Sequence, residues 1–210
     1  MIKTQVLVIG SGPIAVDGIV SSTNIQFSKE YPDVHLSLVV DELAGLLARL
    51  VEGELALAIG DVRLIDDLSL FNTVDLRQSS AQILVRAGHP LSHKTQITTQ
   101  DLLEYYFATF NNAPAEIVSG FLGLDVDVYR RHLKYSSNDL NSILTQTKNS
   151  DSLAIIFACN GLEQVEAGAL VALPYDAGVN EVHSQYAVIS YKPRVLTPAA
   201  SVYLGLIKAM

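Results

Sequence analysis

The sequence predicts an α/β chain of two Rossmann-like lobes joined by extended segments. Three observations carry that expectation. Short apolar runs alternate with helix-period stripes from Gln5 to Ile59. The alternation lapses after Gly60, where two strand-like runs follow one another with no helix between them. It resumes from Asp101 to Leu173. Strands alternating with helices over short connections imply parallel sheets with right-handed crossovers.

The elements follow in chain order. Gln5 to Ile9 lacks polar alternation and is predicted as a strand buried on both faces. Asp17 to Glu30 reads as a helix, with Val16, Val20 and Phe27 as its apolar stripe. Pro32-Asp33 makes a turn. From Val34 to Val40 one face carries Val34, Leu36, Leu38 and Val40, the other His35 and Ser37. Asp41 is placed to cap the next helix, with Glu42 in its first turn. That helix carries Leu43, Leu46, Leu47, Leu50 and Val51 on one stripe, a core face rather than a cofactor box. Gly53 supplies the left-handed residue that ends it. Leu55 to Ile59 is a third buried strand, and Asp61 to Asp67 a loop.

Leu68 to Val74 and Ala81 to Val85 read as strands, and Gly88-His89-Pro90 breaks the chain. The second half then predicts a helical turn over Asp101–Glu104, a strand over Tyr105–Phe110 and a helix from Pro114 to about Leu122. Val128–Tyr135 is predicted as a strand, and Asn138 as the cap of a helix with Leu140, Ile143 and Leu144. Strands at Leu153–Ala158 and Leu170–Leu173 flank a helix at Leu162–Ala167. The tail reads as a strand, Gln185–Tyr191, and a helix, Ala199–Lys208.

Composition narrows the function. With 210 residues, 49% hydrophobic, the chain can bury a core. Fourteen basic against 22 acidic residues leave a net charge of −8, a poor surface for phosphate backbones. A single cysteine, Cys159, excludes an intrachain disulfide and a cysteine zinc cage. No run approaches the ~20 apolar residues of a membrane span. Lys3 followed by Val6–Val16 has the outline of a signal peptide, but Gly10, Ser11, Gly12 and Pro13 interrupt it. A cytoplasmic location is expected.

Ligands of open parallel sheets bind beyond the carboxyl ends of the strands, near helix N-termini. That rule collects Ser11, Gly12, Asp41 and Glu42 from the first lobe. From the second it collects Thr109, Phe110, Asn111, Ser136, Ser137, Phe157 and Ala158. Ser11, Gly12, Thr109, Asn111 and Ser136 are read as hydrogen-bond donors, and Phe110 and Phe157 as apolar walls.

Other motifs point to chemistry only weakly. Gly10-Ser11-Gly12-Pro13-Ile14-Ala15 matches a dinucleotide-binding turn after a strand. Asp41, however, comes later than a ribose-binding acid should, and Pro13 lacks the N–H a pyrophosphate would use. His35, His89, His93, His132 and His183 show no zinc spacing, and no nucleophile elbow exists. They read as solvated or hydrogen-bonded. Asp66-Asp67 and Asp125/Asp127 read as solvated turns that could at most hold a cation weakly. Arg130-Arg131, on the predicted strand, could attract an anion but fits one solvated and one paired side chain. Cys159 reads as a packing thiol. No catalytic residue, metal ligand or cofactor is predicted.

Several blocks together resemble the effector-binding domain of LysR-type transcriptional regulators. They are Phe27, Tyr31-Pro32-Asp33-Val34-His35-Leu36, Gly53-Glu54-Leu55-Ala56-Leu57-Ala58-Ile59-Gly60, Ile83-Leu84-Val85-Arg86-Ala87-Gly88-His89-Pro90-Leu91 and Thr99-Gln100-Asp101-Leu102-Leu103. The resemblance implies a periplasmic-binding-protein type 2 architecture, its two Rossmann-like lobes joined by two crossing strands. It places residues 1–86 plus 190–210 in lobe I and 87–189 in lobe II, with a small effector between them. It also implies a homodimer or tetramer formed through this domain, with residues near Ile19–Phe27 on the contact. DNA would be reached through a winged helix-turn-helix, which is not found in this sequence. Two positions depart from the family pattern: Asp41-Glu42-Leu43 stands where a small hydroxyl residue is usual, and Ala56 where an aspartate is. The acidic loop disfavours a simple carboxylate effector.

The sequence thus predicts an effector-sensing domain that is not an enzyme. The alternatives are a transporter's solute-binding protein, or an oxidoreductase using the Gly10-Ser11-Gly12 turn.

Overall fold

The computed structural model describes residues 5–65 and 67–210, except for the side chains of Asp17 and Leu64. Lys3 and Asp66, named above, lie outside the described residues. The chain divides into two compact units, residues 1–78 with 185–210, and residues 79–184.

In the first unit, β1 (Gln5–Ser11) lies between β2 (Val34–Val40) and β3 (Leu57–Asp61), all parallel. An antiparallel strand, β10 (Tyr186–Tyr191), joins β3 to β4 (Phe71–Asp75), giving the order β2-β1-β3-β10-β4. Burial in β1 sets in at Leu7 (1% exposed), while Val6 is 56% exposed, so this strand is not buried on both faces along its length.

The helical stretch after β1 is α1 (Pro13–Ala15), a π-helical turn over Val16–Val20, and α2 (Ser21–Glu30). Gly18 there takes φ +84°, which only glycine adopts without strain. Helix α3 (Leu43–Glu52) buries Leu43, Leu46 and Leu50 against Leu55, Ala58, Phe71 and Ile189. Val51, expected on the same stripe, is 39% exposed. The helix ends at Gly53, φ +87°. Arg194 reinforces that end by donating to the carbonyls of Leu50 and Val51, at 2.6 and 3.1 Å. The Leu50 carbonyl also accepts from Gly53 N–H at 3.2 Å, and both carbonyls lie at the negative end of the helix dipole. The tail helix α9 (Pro198–Ala209) packs on α2, where the Tyr203 ring lies tilted against Phe27 and its hydroxyl donates to Asn24 at 2.7 Å.

The second unit repeats the plan. Here β6 (Phe107–Phe110) lies between β7 (Leu133–Ser137) and β8 (Leu153–Phe157), all parallel. The antiparallel strand is β5 (Ala81–Arg86), which leads to β9 (Leu170–Ala172), so the order is β7-β6-β8-β5-β9. Helices α4 (Thr99–Leu102), α5 (Ala115–Phe121), α6 (Val126–His132), α7 (Leu140–Lys148) and α8 (Ala158–Glu166) complete it. In its core Phe107, Phe121 and Tyr129 sit with Ile83, Val85, Leu102, Leu153 and Ile155.

Three expectations change. Residues 126–132 are helix, not strand. Asp125 caps it by accepting from Asp127 N–H at 2.8 Å, and Tyr129 is buried beside Phe107. The β-branched Val126 and Val128 masked that signal. Asp139 rather than Asn138 caps α7, accepting from Ser142 N–H at 2.9 Å. The unit boundaries fall at 78/79 and 184/185, not 86/87 and 189/190. Each antiparallel strand is bonded into the sheet it enters: β5 pairs with β8 and β9, and β10 with β3 and β4. Strand order is visible in sequence; pairing is not.

Candidate functional site

Each unit gathers its candidate residues at the carboxyl ends of its three parallel strands, where helix N-termini meet the sheet edge. In the first unit, Ser11 closes β1 and is fully buried. Its hydroxyl donates to the Gly12 carbonyl at 3.1 Å, and its own carbonyl accepts from Asp41 N–H at 3.2 Å. Gly12 N–H donates to the Ile59 carbonyl at 2.8 Å. These bonds bring the ends of β1, β2 and β3 together through main chain.

Gly10 is there for packing. A Cβ at that position would lie 2.7 Å from both Leu46 Cδ2 and Leu55 Cδ1. The glycine turn therefore does not present the open donors a pyrophosphate needs. Gly12 N–H is taken, and Pro13 has none. Glu42, not Asp41, is the N-cap residue of α3, and no side chain caps that helix. Asp41 instead accepts from Glu42 N–H at 2.8 Å, and both residues are exposed. A Cβ at Gly45 would lie 2.9 Å from Asp41 Oδ2, so this carboxylate rests over the first turn of α3.

In the second unit, Thr109 and Phe110 are buried at the end of β6, while Asn111 and Ser136 are exposed. Thr109 donates its hydroxyl proton to the Ile155 carbonyl at 2.7 Å, which ties β6 to β8 and leaves only its lone pairs outward. Asn111 N–H donates to the Ser137 carbonyl at 3.2 Å, and Ser137 Oγ accepts from Asp139 N–H at 3.0 Å. Phe157, half-buried, is the N-cap residue of α8. Beside these ends a shallow polar depression along α7 is lined by Tyr135, Asp139, Asn141, Ser142, Thr145 and Asn149.

The sequence reading missed Ser79, Ser80 and Ser184. Ala158 N–H donates to the Ser80 carbonyl at 2.9 Å, and Cys159 N–H to Ser79 Oγ at 3.0 Å. These bonds satisfy two donors that an uncapped helix leaves open. The available signal was a serine pair between two strands with no helix between them.

The remaining candidates are structural. His89 is fully buried, accepts from Leu91 N–H at Nδ1 (3.1 Å) and donates from Nε2 to the Asp151 carbonyl (3.3 Å). Burial lowers its pKa against the pull of that hydrogen bond, so the neutral form is favoured. Asp151 also pairs with Arg86 at 2.7 Å. Arg130 and Arg131 stand in the last turn of α6, where cations suit the helix dipole, and Arg130 pairs with Glu116 at 3.5 Å. Cys159, in the first turn of α8, is part-exposed. Among the described residues no cluster of three or more His, Cys, Asp or Glu could hold a metal, and no helix is long and apolar enough to cross a membrane.

Two parallel half-sheets, each completed by an antiparallel strand that follows a connecting segment, define the class: a periplasmic-binding-protein type 2 fold. Residues 3–210 match the family model for the LysR substrate binding domain. The chain belongs to that family. It is 29% identical over 201 residues to the SDS degradation transcriptional activation protein of a Pseudomonas strain. That match takes in 95% of this chain and 65% of the relative, so the chain spans just under two thirds of its length.

Solved structures agree on the fold. HinK, a LysR family transcriptional regulator from Pseudomonas aeruginosa, superposes with a TM-score of 0.77 at 19% identity, over 100% of this chain and 70% of that one. The regulatory domain of MetR, a LysR family regulator from N. meningitidis, gives 0.69 at 15% identity, over 98% and 93%. The alternatives, a transporter's solute-binding protein and an oxidoreductase, find no support in these comparisons.

Proposed function

We propose that this chain senses a small-molecule effector for a cytoplasmic transcriptional regulator, binding it through residues at the strand ends and catalysing nothing. The observation that carries the reading is the repeated half-sheet in a LysR family chain. Both units expose polar groups at the carboxyl ends of three parallel strands. Asp41 and Glu42 would face the effector from one unit, Asn111, Ser136 and Phe157 from the other. A ligand touching both units favours the arrangement in which it touches both, and so shifts the population toward it. The shift would pass to a homodimer or tetramer and to DNA held by a separate domain. The exposed Ile25 on α2 suits the contact between subunits.

The test is a thermal-shift screen of metabolites on this chain, since a ligand that binds only the folded state raises its melting temperature. Asn111→Ala and Phe157→Ala should each weaken a hit about tenfold or more. Undiminished binding in both variants would place the site elsewhere. Stabilisation by NAD with turnover would replace sensing by catalysis.

A further inference from the structure

The segments that connect the units are fastened to one helix. Ser79 N–H donates to Ser184 Oγ at 2.9 Å, and Ser184 N–H returns a bond to the Ser79 carbonyl at 2.8 Å. Ser184 is fully buried. One residue on, Ser80 and His183 form an antiparallel bridge, and Ala81 N–H donates to the Val182 carbonyl at 2.7 Å. The same two serines at 79 and 80 accept from Cys159 and Ala158, the first residues of α8. On the other side, Leu76 N–H donates to the Tyr186 carbonyl at 2.9 Å and Val62 N–H to the Gln185 carbonyl at 3.1 Å, within the first unit. Among the described residues the N–H groups of Arg77 and Gln78 donate no hydrogen bond.

We propose that Ser79 and Ser184 form a clasp that fastens both connecting segments to the first turn of α8, leaving Arg77–Gln78 and the Ser184–Gln185 peptide as the places where the chain bends. A rigid ladder on each side concentrates rotation in the unbonded residues between them, as hinges do. Ser79 is the positioning residue, because it bonds both the other connector and the helix. Helix α8 opens on Phe157 and Ala158, so a ligand that moves this turn moves both connectors with it. That last link rests on the proposed function; the clasp does not.

Amide hydrogen exchange on the whole chain tests it without a ligand. In the unaltered protein Arg77 and Gln78 exchange at unprotected rates, while Ser79, Ala81, Ala158, Cys159 and Ser184 open together. Ser79→Ala removes only the acceptor of Cys159, yet should speed Cys159, Ser184 and Ala81 alike, by about tenfold for one lost bond. Ser79→Thr, which keeps the hydroxyl, should restore the slow rates. Ser184→Ala, removing the acceptor of Ser79, should speed the same set. A change confined to Cys159, or one shared with the core amides of Leu102 and Phe107, overturns the clasp. Protection at Arg77 and Gln78 equal to that at Ser79 overturns the hinge.

Discussion

The two units share one sheet plan and solve it with different materials. In the first, the strand ends are tied by main chain, through Gly12 to Ile59 and Asp41 to Ser11, and the leucines of α3 pack on Ala58, Phe71 and Ile189. In the second, side-chain oxygens add to main-chain bonds such as Asn111 to Ser137: Thr109 to Ile155, Ser137 to Asp139, Ser79 to Cys159. Its core is built on Phe107, Phe121 and Tyr129. Topology is therefore a constraint on pattern, not on residue type. Any apolar set of the right volume and period fills a layer, and any donor–acceptor pair closes an edge.

The largest test of that contrast is core truncation. Phe107→Ala should cost about 3–5 kcal/mol and Leu46→Ala about 2–5 kcal/mol, read from urea midpoints. A greater loss at Leu46 than at Phe107 breaks the expected order of the two layers. Next come the glycines of the first unit's turn. Gly10→Ala should cost about 1–3 kcal/mol by overpacking against Leu46 and Leu55. Gly12→Ala should be near neutral, because a Cβ there meets only the Ile59 carbonyl at 3.8 Å with φ at −61°. A dinucleotide turn would reverse that order. Smaller still, Arg194→Ala should cost on the order of 1 kcal/mol by uncapping α3, with the first amides to gain exchange near Leu50 and Gly53.

The smallest effect is a pH slope assigned to the second unit. His89 has a folded pKa below 6.5, so the unfolded chain binds the proton first as pH falls. Its contribution is whole above pH 6.5 and is lost as pH drops from there through the lowered folded value. Urea midpoints between pH 7.5 and 5 should show this loss, and His89→Gln should flatten it. Asp101 acts in a separate window. Its hydrogen bond from Lys94 and the Thr98 capping box hold its pKa at about 2. That stability is present above pH 3.8 and is lost as pH falls through about 2, so it leaves the His89 window untouched.

Much of this protein was legible in its residues. Local signals placed β2, α3 and its Gly53 end, the Pro114 start and the strand at Leu153, because period, capping chemistry and left-handed glycine act within one or two turns of chain. The same reasoning brought Ser11, Asp41, Thr109 and Ser136 to strand ends. It failed at 126–132, where β-branched residues outweighed the cap at Asp125. It also misread the direction of Thr109's hydroxyl, which looked available and is spent on Ile155.

What the sequence by itself determined was the alternation, the element types and the family, since each depends on residues near one another in the chain. Only the tertiary structure decided which sheet β5 and β10 join, that Arg194 closes a helix more than a hundred residues away, and that Ser79 meets both Ser184 and Cys159. These are pairings between distant segments. Many partners satisfy the same donors and acceptors equally well in the sequence, and the packed sheets select one set by bringing it within reach.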